Sequence, residues 1–219
     1  MKYPCLVMDH DDTVVNSTAT IHYPCFVEFL EKYYPDHPMS LEEYFLKNFD
    51  PGFIPMCREE FGMDDRMLVL EQEYWHAYVE NHIPVAYDGI RELLWRHVEL
   101  GGCVCVISHS QCDHIRRDWA ANGLPEPVLV YGWDDPPALR KPSPYRLHTI
   151  MDTLGFRPDE LLMVDDLKPG CDMAHAAGVD FVAAGWATGL APIENFMRAN
   201  CTHYAPTVAA LAEFLHENC

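Results

Sequence analysis

Apolar residues along the chain fall into five short runs: Tyr3 to Met8, Cys103 to Ile107, Val128 to Tyr131, Leu161 to Val164 and Phe181 to Ala183. Each is bounded by turn residues and separated from the next by a segment with helical spacing. That alternation predicts βα units around a mostly parallel sheet, an α/β fold with helices flanking the sheet. One gap breaks the rhythm. From Asn16 to Asp88 the chain carries only helical periodicities and no convincing strand. Within it the pattern predicts a helix over Ile21 to Tyr34, stopped by Pro35 and Pro38. A second begins at Ser40, where Ser-Leu-Glu-Glu offers an N-cap and a capping-box Glu43. A loop through Asp50-Pro51-Gly52 follows, then a short helix near Met56 to Phe61 and a longer one from Asp64 to about Asn81. A helix over Asp88 to Leu100, ended by Gly101-Gly102, returns the chain to the sheet. The expected organisation is a sheet domain of residues 1–16 and 88–219 carrying an all-helical insert of residues 17–87.

Length and composition agree with that picture: 219 residues at 49% hydrophobic suffice for one sizeable core and a smaller annex. Fifteen Lys and Arg against 34 Asp and Glu give a formal charge of −19, which repels nucleic acid and anionic membrane. The densest basic pairs, Arg116-Arg117 and Arg140-Lys141, form no patch that overrides it. The longest near-apolar stretch, Phe181 to Ile193, is interrupted by Gly185, Gly189 and Pro192 and is too short to span a bilayer. No secretory signal is read at the N-terminus, because acidic residues from Asp9 interrupt any apolar segment. Nine scattered cysteines without a C-x-x-C pair indicate neither a disulfide framework nor a four-cysteine zinc site, so a cytoplasmic home is expected. Cys103 and Cys105 read as small core residues rather than metal ligands.

Two acidic clusters fall where strands end. In Asp9-His10-Asp11-Asp12-Thr13, residues two apart on an extended chain face the same way. Asp9 and Asp11 therefore share one side at a strand's carboxyl end, where open α/β sheets place ligands. Asp165-Asp166 follows Leu161 to Val164 directly. If these strands are neighbours, at least three carboxylates converge on one crevice, and their repulsion calls for a bound cation or a raised pKa. Carboxylate and backbone carbonyl oxygens suit Mg²⁺ better than zinc. Either cluster alone reads equally well as a solvated turn. Ser108 ends the second run ahead of a helix, so its hydroxyl and the following N–H groups offer an anion site. Lys141, in Arg140-Lys141-Pro142-Ser143-Pro144, offers an ammonium able to meet a phosphate and a carboxylate together. Singly, these two are an ordinary N-cap and an ordinary surface lysine; it is the succession of four strand ends that argues for a site.

These segments resemble the haloacid dehalogenase superfamily over nearly the whole chain. Its first motif, an apolar strand followed by D-x-D-x-T, is similar to Leu6 through Thr13, and its second, an apolar strand ending in Ser or Thr, to Val104 through Ser108. Its third, K-P-x-P, is similar to Lys141 through Pro144. Its fourth, a paired acid with a downstream A-A-G, is similar to Asp165-Asp166 and Ala176-Ala177-Gly178. The order fits the branch with a helical cap inserted after the first motif, as in phosphoglycolate phosphatase and β-phosphoglucomutase. The resemblance implies a Rossmann-like core with residues 17–87 as the cap, and Asp9 as the nucleophile that becomes an aspartyl phosphate. It also implies Asp11 as general acid then base, and Ser108, His109 and Lys141 around the phosphoryl oxygens. Mg²⁺ would be held by Asp9, the Asp11 carbonyl and Asp166, with Asp165 alongside.

Three positions depart from the family pattern. Asp12 stands where Gly is common, although Asp tolerates a left-handed turn better than most residues. His109 stands where Asn is frequent, and Asn16 where Asp is frequent. The implied activity is a Mg²⁺-dependent phosphatase acting on a small phosphorylated metabolite. A phosphomutase of the β-phosphoglucomutase type is the alternative, and a non-catalytic binding protein on the same scaffold is a third reading. A dehalogenase or phosphonate-cleaving enzyme fits less well, since Asp11 supplies the acid of ester cleavage and no insert lysine is placed for a Schiff base. Few cations lie in the insert, namely Lys32, Lys47, Arg58 and Arg66. His22 and Arg58 are therefore its candidate substrate contacts, with Arg58 alternatively pairing with Glu59 or Glu60. Trp75 and Tyr78, three apart on a helix, read as packing of the insert's core rather than a stacking platform.

Overall fold

The computed structural model describes residues 1–217. Six strands form one sheet: β1 (Cys5–Met8), β2 (Cys103–Ile107), β3 (Leu129–Tyr131), β4 (Leu161–Asp165), β5 (Asp180–Ala184) and β6 (His203–Ala205). The order is β3-β2-β1-β4-β5-β6 and every pairing is parallel. The sixth strand was not foreseen, because three residues reading His-Tyr-Ala carry no apolar run.

Both faces of the sheet are buried, so its strands read as continuous apolar runs rather than alternating ones. Leu6, Met8, Val104, Val106, Leu162, Val164 and Val182 point to one face. There they meet α5 (Ile90–Glu99), α6 (Cys112–Ala121) and α10 (Val208–Glu217), with Trp119 of α6 fully buried. Cys5, Val7, Cys105, Ile107, Met163 and Phe181 point to the other face, covered by α7 (Tyr145–Leu154), α8 (Lys168–Ala177) and α9 (Ala191–Asn200).

The segment between β1 and α5 is helical, as its periodicity predicted. A π-helical turn (Thr18–His22) leads into α1 (Tyr23–Tyr33), followed by α2 (Leu41–Phe49), α3 (Phe53–Phe61) and α4 (Asp65–Val79). Ser40 caps α2 with the full reciprocal box: its hydroxyl accepts from the Glu43 N–H (3.2 Å) and the Glu43 carboxylate accepts from the Ser40 N–H (2.8 Å). These helices share a cluster of their own around Phe26, Phe29, Leu30, Tyr44, Met56, Cys57 and Met63. Trp75 and Tyr78 are not in it; Phe29 packs instead on Tyr74. Helix α2 also reaches the sheet domain, where the Phe49 ring meets Phe196 of α9 edge to face at 5.3 Å. The two connectors run side by side: the Asn16 N–H donates to Val85 O (2.9 Å) and the Tyr87 N–H to Val14 O (3.0 Å). Among the described residues no helix is long and apolar enough to cross a membrane.

Glu71 of α4 is buried at 6% exposure, and that burial pushes its carboxyl from 4.5 up to about 7, with His22 opposing. A carboxyl raised in the folded state costs stability progressively as pH climbs from the unfolded value to the folded one, and the full cost applies above it. Glu71→Gln is therefore expected to raise the melting temperature at pH 8, by up to about 3 kcal/mol of stability, and to gain much less at pH 5. An equal gain at both pH values would contradict the assignment.

Candidate active site

Strand β1 sits mid-sheet; the chain leaves it for β2 and β3 on one side and returns to β4, β5 and β6 on the other. Reversal of strand order opens a crevice at the carboxyl ends of β1 and β4. The Asp9 N–H donates to Val164 O (2.9 Å), which carries the β1–β4 pairing one residue past the end of β1. Both acidic clusters are thereby brought together. Oxygens of Asp9, Asp165 and Asp166 lie within 4.8 Å of one another, all three residues buried.

The Lys141 ammonium, itself buried, donates to Asp9 Oδ1 (2.6 Å) and Asp165 Oδ2 (2.7 Å). Burial alone would lower its pKa; the two carboxylates outweigh that and raise it. Lys141 is no surface lysine. Both Asp165 oxygens are engaged, since its Oδ1 also accepts the Leu167 N–H (2.8 Å). Asp166 accepts one bond, from the Thr13 hydroxyl (3.3 Å). Burial raises the pKa of Asp9 against the pull of Lys141, and burial with the neighbouring carboxylates raises Asp166 well above the ordinary range. Three carboxylates share one ammonium, so the cluster is short of positive charge. Its donors are hard oxygens, which a small divalent cation fits.

Asp11 faces a different environment, and its side chain is not part of that cluster. Its Oδ1 accepts from the Ser17 hydroxyl (2.7 Å) and from His22 Nε2 (3.0 Å), and its Oδ2 from the Ser110 hydroxyl. Burial would raise this carboxyl, but the converging donors hold it well below the usual carboxylate range. The Trp75 N–H donates to His22 Nδ1 (3.0 Å), which leaves the Nε2 proton to point at Asp11. Asp11 draws the His22 pKa up against its burial, yet a second ring proton has no acceptor while the Trp75 bond stands. Directly after Asp9 and Asp11 in the chain, Asp12 is the one non-glycine residue with positive φ (58°) among those described, as its left-handed tolerance predicted. Its carboxylate accepts the Thr18 N–H (3.1 Å).

Around this centre, Ser108 lies buried at the end of β2, and its Oγ accepts the Ser110 N–H (3.2 Å); Gln111, not Ser108, is the N-cap of α6. His109 is hydrogen-bonded through Nε2 to Lys141 O (3.2 Å), and burial beside the Lys141 charge pushes its pKa down to about 4. A small cavity opens beside Asp11, lined by His22, Trp75, Ser110 and His114. Trp75 is therefore a wall of the crevice, not insert core. Arg58 is not brought there: it is half-exposed and pairs with Asp65 at the start of α4, rather than with Glu59 or Glu60, and Lys47 takes Glu60. Sequence reasoning passed over Ser17, Ser110 and Thr13. Thr13 carried a signal as the last residue of D-x-D-x-T and Ser17 as the residue after the atypical Asn16, whereas Ser110 carried none.

Residues 6–184 match the family model described as haloacid dehalogenase-like hydrolase. The chain belongs to that family. A phosphoglycolate phosphatase of Haemophilus influenzae is 26% identical over 187 residues, 81% of this chain and 83% of that protein. In fold the chain is similar to a conserved haloacid dehalogenase-like protein of unknown function from Agrobacterium tumefaciens (18% identity, TM-score 0.79, 99% of each chain). It is similar also to a haloacid dehalogenase-like family hydrolase of Streptococcus pneumoniae (14% identity, TM-score 0.75, 98% of this chain and 99% of that one).

Helix α8 approaches the centre through Gly170, where an added Cβ would lie 2.1 Å from Asp165 Oδ2 and 2.6 Å from Asp165 Cβ. Gly170→Ala is expected to cost about 1–3 kcal/mol by overpacking and to weaken turnover by displacing Asp165 from Lys141. A melting temperature and rate equal to wild type would show that the carboxylate tolerates the methyl.

Proposed function

We propose that the chain is a Mg²⁺-dependent hydrolase of a small phosphate monoester, working through an aspartyl phosphate on Asp9. The observation that carries this reading is the split between the two carboxylates of the D-x-D turn: Asp9 shares a cation-poor cluster with Lys141, Asp165 and Asp166, while Asp11 sits among hydroxyl and imidazole donors. A nucleophile and a proton carrier need such different surroundings. The phosphatase named among the relatives supports the same class.

In this reading Asp9 attacks phosphorus with the oxygen that Lys141 does not hold; Asp11, an anion in the resting site, takes up a proton from solvent as the ester binds and passes it to the departing ester oxygen. The Asp11 carboxylate left behind is the form its three donors favour, and it then takes a proton from the water that cleaves the acyl phosphate. Lys141, the Ser108 hydroxyl and the N–H groups that follow it offset the phosphoryl charge. Asp9, Asp166 and the Asp11 carbonyl would hold Mg²⁺, with Asp165 orienting Lys141. The ion supplies Lewis-acid neutralisation of the transferring group and relief of carboxylate repulsion. Residues 17–87 serve as a cap over the crevice, and the cavity beside Asp11 receives the leaving group. The −19 charge and the absence of a long apolar helix among the described residues suit a small metabolite rather than nucleic acid or membrane, in a reducing cytoplasm.

Released phosphate from a panel of phosphorylated metabolites, assayed with and without a chelator, tests this. Asp9→Asn is expected to abolish turnover and Asp11→Asn to slow it by about 10²–10⁴; the chelator is expected to stop it reversibly. Sugar-phosphate isomerisation without phosphate release would assign a phosphomutase instead, and full activity of Asp9→Asn would remove the nucleophile.

A further inference from the structure

His10, the residue between the two carboxylates of the turn, is almost completely buried, as is Asp118 of α6, which with Arg117 also borders the cavity beside Asp11. His10 Nε2 meets Asp118 Oδ2 at 3.2 Å, and the Trp119 N–H donates to His10 Nδ1 at 3.2 Å. An indole can only donate, so Nδ1 is the acceptor and the Nε2 proton goes to Asp118. The other Asp118 oxygen accepts from Arg117 Nε (2.8 Å). The far end of the same guanidinium donates to Val79 O (2.9 Å) and His82 O (3.2 Å), the carbonyls where α4 ends and the chain leaves the insert. Asn122, at the end of α6, continues the grip: it donates to Pro84 O (2.9 Å) and accepts the Ala86 N–H (2.8 Å). The segment so held is the one that pairs with Val14 to Asn16, directly after the turn, and the His10 carbonyl in turn accepts the Val14 N–H (2.9 Å) and Val15 N–H (3.1 Å).

We propose that Arg117 and Asp118 are positioning residues, which tie the end of helix α4 to His10 and so set the seat of the insert and the orientation of the Asp9–Asp11 turn together. The guanidinium suits this role because its planar fork can serve a carboxylate on one edge and two carbonyls on another, which an ammonium cannot. Asp118 is buried between two donors, so removing either leaves a desolvated charge without its partner. His10 holds the turn through its bonds to Asp118 and Trp119. Asp9 and Asp11 thus project into their separate environments from a backbone fixed at its midpoint.

Two measurements test the coupling, one of which does not depend on the activity under Proposed function. In amide hydrogen exchange on the intact chain, Arg117→Met is expected to speed exchange in residues 79–87 and also in residues 10–16, with β4 and β5 unchanged. Acceleration confined to residues 79–87 would overturn the proposal. In steady-state kinetics with p-nitrophenyl phosphate and Mg²⁺, Arg117→Met and His10→Leu are each expected to lower kcat about tenfold or more, with KM within threefold for His10→Leu, whose side chain does not line the cavity. The double variant should be no slower than the worse single one, and His10→Gln, which keeps a donor toward Asp118, should recover most of the loss. Reduced melting temperature with unchanged kcat, or multiplicative losses in the double variant, would reduce these residues to ordinary structural ones. A wild-type protein inactive on every ester would undo the phosphatase reading while leaving the exchange experiment to decide this one.

Discussion

The position of one ammonium group organises the centre of this molecule. Lys141 lies buried between Asp9 on β1 and Asp165 on β4, and no other Lys or Arg is paired with the three carboxylates gathered there among the described residues. An uncompensated charge in such a place costs several kcal/mol. The strands, the chain reversal at β1 and the close approach of α8 at Gly170 all serve to keep the partners within reach. Lys141 neutralises part of the negative charge and leaves a deficit, and that deficit is what gives the site its chemistry. A fully paired cluster would have no use for a cation or a phosphoryl group.

The same turn of chain supports two opposed electrostatic settings, two residues apart in sequence. Asp9 is pressed toward its neutral form by burial and by its acidic neighbours, whereas Asp11 is held as an anion by hydroxyls and an imidazole. His10, between the two, is anchored on Asp118 and Trp119. Ser17, His22 and Trp75, supplied by the start of the insert and by α4, complete the Asp11 side. The helical segment is therefore part of the centre's electrostatics.

Much of this was legible from residue order. Apolar runs marked five strands because a sheet buried on both faces leaves no polar alternation to confuse them, and Ser40 announced α2 through a capping pattern that depends only on local hydrogen bonding. The strand-end acids could be placed on one crevice only conditionally, since strand adjacency is a property of topology and not of spacing. What escaped was decided by tertiary contact. β6 is three half-polar residues paired to β5, Trp75 turns from the insert's core toward His22, and Arg58 is drawn to Asp65 on the outer surface. The Arg117–Asp118–His10 chain joins residues more than a hundred positions apart, and neither its Asp nor its Arg carries a local signal.

If the carboxylate cluster is short by a divalent charge, Mg²⁺ should bind it without any substrate present. Titration calorimetry of the purified chain with MgCl₂ measures this directly. One saturable site per chain, lost in Asp166→Asn while the variant keeps its far-ultraviolet circular dichroism, is the expected result. A chain that binds no Mg²⁺, or an Asp166→Asn variant that binds it as tightly as wild type, would mean that Lys141 alone satisfies the cluster.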